Sequence, residues 1–216
     1  MSESREQSSM LRIGDVAPDF TATTTIGPLR FSDYADGSWV VMFSHPADFT
    51  PVCTTELSEF AKEQSFFDAH GAKLIGVSVD SIHSHVAWVQ NVKEKLGVLM
   101  QFPIVADTGL NVSHLYGMLH PGESETATVR AVFIVDPKRT IRLMMYYPMN
   151  VGRNMDEIKR VLVALQTVDA NQCVLPMNWL EGQKVIVPAP KTLKDIEELA
   201  TMGYESVDFY LMKRDL

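Results

Sequence analysis

The chain has little cysteine: two residues in 216, Cys53 and Cys173. So few exclude a disulfide scaffold, and a reducing compartment holds both as thiols. Basic residues are also scarce, 19 Lys and Arg against 27 Asp and Glu, for a net charge of −8. An acidic chain has no long-range attraction for nucleic acid or an anionic membrane, so neither is expected as a partner. No apolar run reaches the roughly 18 residues of a membrane span. The opening MSESREQSSM has no apolar stretch of signal-peptide length, and a cytoplasmic location is expected. There is no glycine-rich phosphate loop, no haem attachment motif and no Cys-x-x-Cys pair, so no cofactor is expected.

What is present is an ordinary core-forming composition, 46% hydrophobic and 21% charged, in a chain short enough for one main domain. Residues 1–10 read as a disordered lead. Short strands and turns follow, and then WVVMFS (39–44) reads as a buried strand, broken by the two prolines of HPADFTPV. From Cys53 the period becomes helical, with Leu57, Phe60, Ala61 and Phe67 on one face and Gly71 placed to end it. KLIGVSVD is a second buried strand, SIHSHVAWVQNVKEKLG an amphipathic helix, and FPIVAD a third strand. VRAVFIVDPKRTIRLMMYY predicts an antiparallel hairpin, and a helix is expected from Met155 to about Val168. These elements predict an α/β domain over 11–169, with a mixed central sheet covered by helices on both faces. Residues 170–216 are proline-rich, with one helical stretch, TLKDIEELATMG. This arm is too small to hold a core by itself and needs a surface to lie on.

The segment SHPADFTPVCTTE carries the chemistry. A cysteine at a helix start meets unpaired N–H groups and the positive end of the helix dipole, which favour the nucleophilic thiolate. Thr50, three residues earlier, can turn its hydroxyl to the same side and donate to sulfur or to a bound oxygen. Pro46 and Pro51 stiffen the loop and remove donors, leaving a narrow, partly dry pocket. A lone cysteine is otherwise a small buried hydrophobe, and this position at a helix start with flanking Pro and Thr argues for the nucleophile.

The residues Pro46, Thr50 and Cys53 match the peroxiredoxin signature of Pro, three residues, Thr, two residues, Cys. With His45 before the proline the segment resembles the one-cysteine subfamily, and the likeness extends from about Leu11 to the C-terminus. It implies a thioredoxin-like fold with a C-terminal dimerisation arm, and a thiol peroxidase reducing hydrogen peroxide and organic hydroperoxides through a Cys53 sulfenic acid. RAVFIVDP supplies the family's arginine as Arg130, which on its own could be a strand-edge charge. YYPMNVGRN supplies a second, Arg153, which could equally be a solvated loop residue. The resemblance further implies that the backbone N–H groups of Val52 and Cys53 help place the peroxide, and that Glu56 orients the arginine. Glu56 also reads as an ordinary carboxylate favoured near a helix start. His45 is either a secondary contributor or a surface residue. Homodimers through the arm are implied, with decameric rings as a further assembly.

Two-cysteine relatives carry the resolving cysteine directly before a Pro and four residues before a Trp; counted from Trp179 that position is Leu175, two residues from Cys173. An external thiol reductant, such as thioredoxin, glutathione or a similar small thiol, is therefore favoured over Cys173 as the resolving group. Some one-cysteine relatives add a phospholipase-like Ser, His and Asp set. Here Ser38 fills the serine position, while the other two hold Ser32 and Lys138, so no such activity is expected. His83 and His85 lie two apart on a helix and point to different faces, which argues against shared metal ligation. Thiol–disulfide exchange is disfavoured because residue 56 is Glu rather than Cys. A non-enzymatic redox sensor or holdase oligomer is the remaining alternative.

Overall fold

The segment WVVMFS is a strand buried at every position, as a central strand of a sheet covered on both faces must be. The computed structural model describes residues 11–216, so the expected disordered lead lies outside the described residues. The chain divides into two compact units, one ending at Met155 and the other comprising Asp156–Leu216. The long helix after Met155 thus groups with the C-terminal segment, whereas the sequence reading puts the boundary after residue 169.

The first unit contains, in order, β1 (Thr21–Thr24), β2 (Gly27–Arg30), α1 (Phe31–Ala35), β3 (Trp39–Ser44), α2 (Pro51–Lys62) and α3 (Gln64–Ala69). It continues with β4 (Ala72–Ser78), α4 (Ile82–Leu96), β5 (Ile104–Ala106), α5 (Asn111–Leu115), β6 (Arg130–Val135) and β7 (Ile141–Tyr147). The sheet order is β2-β1-β5-β4-β3-β6-β7. β3, β4 and β5 are parallel, joined by helical crossovers, while β6 lies antiparallel to β3 and pairs with β7 as the expected hairpin. Val40 and Met42 face a core cluster with Phe31, Ala35, Tyr116 and Phe133. Val41 and Phe43 face the other side, where Phe43 stacks on Phe60 of α2 with ring centroids 3.8 Å apart.

The predicted helix after Cys53 is two helices, α2 and α3, meeting at Glu63, and its stop is Gly71 at φ +60°. α4 starts at Ser81, whose hydroxyl accepts from the Ser84 N–H, and ends at Gly97 in the left-handed region. α1 falls in a stretch that the sequence reading assigns to strands and turns.

The second unit holds all but the first residue of α6 (Met155–Asn171), with β8 (Val185–Ile186), α7 (Leu193–Ala200), β9 (Glu205–Asp208) and β10 (Leu211–Arg214). β8, β10 and β9 form a small antiparallel sheet that the sequence does not announce, and α7 coincides with the predicted helical stretch. Thr192 and Asp195 cap α7 reciprocally. Among the described residues no helix is long and apolar enough to cross a membrane.

Candidate active site at the start of the second helix

The parallel strand β3 ends at Ser44, and its continuation, His45 to Thr50, forms the loop that leads into α2. Catalytic groups in open α/β sheets gather at such carboxyl ends. Thr50 is the N-cap residue of α2, Pro51 occupies the first turn, where its missing N–H costs nothing, and Cys53 follows in the same turn. The first helical bond runs from the Thr54 N–H to the Thr50 carbonyl at 3.0 Å. The amides of Val52 and Cys53 precede that bond, and no side chain caps them.

Cys53 is fully buried, on the same face of α2 as Glu56, Leu57 and Phe60. Arg130, at the start of β6 and 3% exposed, donates from Nη1 to Cys53 Sγ at 3.3 Å and to Glu56 Oε2 at 2.7 Å. Its Nε and Nη2 both donate to the Met149 carbonyl, at 2.9 and 2.6 Å. Arg130 is thus fixed from two sides rather than being a strand-edge charge in water.

Arg153 is equally buried, with 2% of its side chain exposed. Its backbone N–H and Nε donate to Glu56 Oε1 at 2.8 and 3.0 Å, and Nη2 donates to Oε2 at 2.8 Å. Nη1 reaches the carbonyls of Ser44 and Ala131, both at 2.9 Å, and the guanidinium lies over the rings of Phe43 and Phe60. A Cβ built on the neighbouring Gly152 would lie 3.5 Å from Val52, an ordinary van der Waals contact. Burial alone would raise the Glu56 carboxyl, but the charge and hydrogen bonds of Arg153, with the charge of Arg130, hold it below its ordinary range.

Thr50 differs from expectation. Its hydroxyl donates to the Ala47 carbonyl at 2.8 Å rather than toward sulfur, so the oxygen's lone pairs, not its proton, are left for a further partner. Pro46 is buried, and Phe49 holds a left-handed backbone at φ +55° just before Thr50. His45 is not a surface residue: it is completely buried, with Nε2 3.0 Å from Asp48 Oδ1 and Nδ1 without a partner. His85 lies against the same carboxylate, separate from His83. The donor types of His45, Asp48 and His85 suit a divalent cation. His45 Nε2 and His85 Nδ1 each lie at hydrogen-bond distance from the Asp48 carboxylate, while His45 Nδ1 is left over. Asp48 and His85 are the site-region residues that sequence reasoning missed; the only local signal was a carboxylate three residues after His45, inside the motif.

An open groove of about 470 Å³ borders the loop, lined by Phe49, Thr50, Pro51, Trp88, Val92 and Leu96 among others. Its α2 residues are Pro51, Thr54 and Thr55, on the side of the helix turned away from Cys53 and Glu56. Cys173 is a buried free thiol in the second unit.

Residues 13–144 match the AhpC/TSA family, and residues 164–201 match the C-terminal domain of 1-Cys peroxiredoxin. A peroxiredoxin of Aquifex aeolicus is 48% identical over 95% of this chain and 97% of its own length. The structure of a yeast mitochondrial 1-Cys peroxiredoxin superposes with a TM-score of 0.87 at 44% identity, covering 96% of this chain and all of that one. Peroxiredoxin 6 of Arenicola marina, as a cysteine-to-serine mutant, gives 0.85 at 36% identity over 95% and 98% of the two chains. The mixed sheet with its covering helices is accordingly the thioredoxin-like fold. With a buried cysteine at a helix start, an arginine on its sulfur and these relatives, the chain belongs to the peroxiredoxin family, in its one-cysteine branch, and is a thiol peroxidase.

Proposed function

We propose that Cys53 is the peroxidatic nucleophile and that Thr50, Arg130 and the first-turn amides of α2 hold the peroxide over it. The observation that carries this is the single Arg130 Nη1 that touches both Cys53 Sγ and Glu56 Oε2. The Cys53 thiolate attacks one peroxide oxygen in line with the O–O bond; that bond breaks, sulfur is oxidised to sulfenic acid, and the departing oxygen takes up a proton to leave as water or alcohol. Arg130 stabilises charge as it moves from sulfur to oxygen, and the N–H groups of Val52 and Cys53 donate to the peroxide. Thr50, its own proton engaged by Ala47, accepts from the peroxide O–H. Glu56 and Arg153 keep Arg130 in place, Pro46 walls the pocket, and His45 supports the loop from beneath. Hydrogen peroxide and small organic hydroperoxides fit a site this enclosed.

Two external thiols complete turnover: the first displaces water from the sulfenic acid to give a mixed disulfide, and the second releases the Cys53 thiol. Thioredoxin, glutathione or a similar small thiol fits this role; the yeast relative is described as resolving through glutathione and thioredoxin systems. The chain works as a homodimer, and a decameric ring is a further assembly open to it. Cytoplasmic conditions suit its two free thiols. Stopped-flow consumption of hydrogen peroxide by wild type, Cys53→Ser and Cys173→Ser, followed by intact mass, tests the reading. Loss of the fast reaction in Cys53→Ser alone, without a Cys53–Cys173 link, is expected. A disulfide-linked dimer lost in Cys173→Ser would make Cys173 the resolving group, and fast consumption surviving Cys53→Ser would overturn the mechanism.

A further inference from the structure

The loop carrying Thr50 rests on a buried chain of three side chains whose protons can be counted. His85 Nε2 lies 3.1 Å from the Val105 carbonyl, an acceptor only, so that nitrogen carries a proton. Its Nδ1 lies 2.8 Å from Asp48 Oδ2 and 3.0 Å from Oδ1. A bare nitrogen facing a carboxylate would set two acceptors against each other, so a second proton sits in this contact. His45 Nδ1 has no partner, so a proton there would be a costly buried orphan. The His45 proton is therefore on Nε2, donated to Asp48 Oδ1 at 3.0 Å.

We infer that Asp48, as carboxylate, and His85, carrying both ring protons, form a neutral buried pair that locks His45 in its Nε2–H tautomer and positions the loop bearing Thr50. All three residues are essentially excluded from solvent, which makes an uncompensated charge expensive and neutrality of the pair decisive. A further charged group facing them is Asp80, whose Oδ2 accepts from the Asp48 N–H at 3.0 Å and from the Ser78 hydroxyl at 2.6 Å. Burial alone would raise the Asp48 carboxyl, but the hydrogen bonds from His45 and His85 outweigh it and hold it well below the usual carboxylate range. The loop is thereby tied to α4 through His85, to β5 through Val105 and to the end of β4 through Asp80. His45 adds its own backbone tie, N–H to the Val77 carbonyl at 3.0 Å. Between Asp48 and His45 lies Ala47, whose carbonyl sets the Thr50 hydroxyl. Asp48 and His85 are positioning residues for the peroxidase reaction, an inference that rests on the role proposed for Thr50.

Long-range proton–nitrogen NMR of the reduced full chain tests the proton count directly, with the His85 signals assigned by their loss in His85→Gln. The expected pattern at neutral pH is two protonated ring nitrogens on His85 and one on His45; a bare ring nitrogen on His85 overturns the inference. Kinetics give a second test. His85→Leu leaves the Asp48 carboxylate short of a donor and slows reaction with hydrogen peroxide about tenfold or more, ~1.4 kcal/mol. Adding Asp48→Asn removes that charge and restores part of the rate and of Tm. If His85 only fills space, the double variant is no faster than His85→Leu, and the inference fails. The NMR pattern does not depend on activity, so its failure is distinguishable from failure of the proposed mechanism, which wild-type peroxide consumption reads.

Discussion

Arg153 grips Glu56 through its backbone N–H and two guanidinium nitrogens, at 2.8 to 3.0 Å, and the same carboxylate receives Arg130 at 2.7 Å. One carboxylate thus serves two buried cations. Glu56→Gln keeps the shape and removes the charge, leaving both guanidiniums undercompensated. Breaking a buried pair of this kind costs about 3–5 kcal/mol, and a fall in Tm of roughly 10 °C is expected by calorimetry. The peroxide reaction slows along with it, because Arg130 loses one of its two anchors.

Arg130→Lys is not a conservative change here. A lysine has one nitrogen and cannot span the Met149 carbonyl, Glu56 and Cys53 together. We expect the second-order rate constant with hydrogen peroxide to fall about 10²–10³-fold in stopped-flow measurements. A loss under threefold would remove Arg130 from the reaction.

Thr50→Ser retains an oxygen that can donate to Ala47 and still accept, whereas Thr50→Val keeps the shape without the oxygen. The serine variant is expected near wild-type rate and the valine variant roughly 10–100-fold slower, a loss of about 1.5–3 kcal/mol in a hydrogen bond to a charged reaction centre. Equal rates in the two would show that the hydroxyl has no part.

Acid should weaken the fold in a defined direction. Glu56 and Asp48 both titrate below their ordinary values of 4.5 and 3.8, so the unfolded chain binds their protons first. Their stabilisation is complete above those values and drains away as pH falls through the lower folded-state range. Urea midpoints held between pH 7 and 5 and declining below about 4.5 are expected. Glu56→Gln flattens that decline, and a decline unchanged in the variant would count against Glu56 as a source.

Lipid hydrolysis should be absent. The Ser38 hydroxyl donates to the Asp36 carbonyl, and positions 32 and 138, Ser and Lys, supply neither base nor orienting carboxylate. Incubation with phospholipid vesicles should release no fatty acid; release that disappears in Ser38→Ala would refute this.

Much of the architecture was legible because its signals are local. WVVMFS announces β3 by an unbroken apolar run, α4 is bracketed by Ser81 and Gly97, and the hairpin is marked by its Asp-Pro-Lys-Arg turn. α1 was hidden because five residues give a helical period too little length to show. The sheet of β8, β9 and β10 was hidden because β8 has two residues and β9 is exposed at every position, so no alternation appears. In the proposed site, Cys53, Thr50 and Pro46 lie within eight residues, close enough for the sequence to group them. The direction of the Thr50 proton did not, since it depends on where the Ala47 carbonyl turns. The meeting of Asp48 with His85 spans 37 positions and depends on the packing of α4 beside the loop.

The complete burial of Cys53 sorts the two halves of turnover by the size of the reagent. On the mechanism proposed for Cys53, a peroxide needs only a small opening to reach this sulfur, whereas a thiol the size of a peptide or protein needs a larger one. Reduction by a thiol of that size then draws on a rarer, locally loosened state than oxidation does. Osmolytes that strengthen burial should retard reduction and spare oxidation, so that the oxidised form outlasts the peroxide for longer in crowded or dehydrated surroundings.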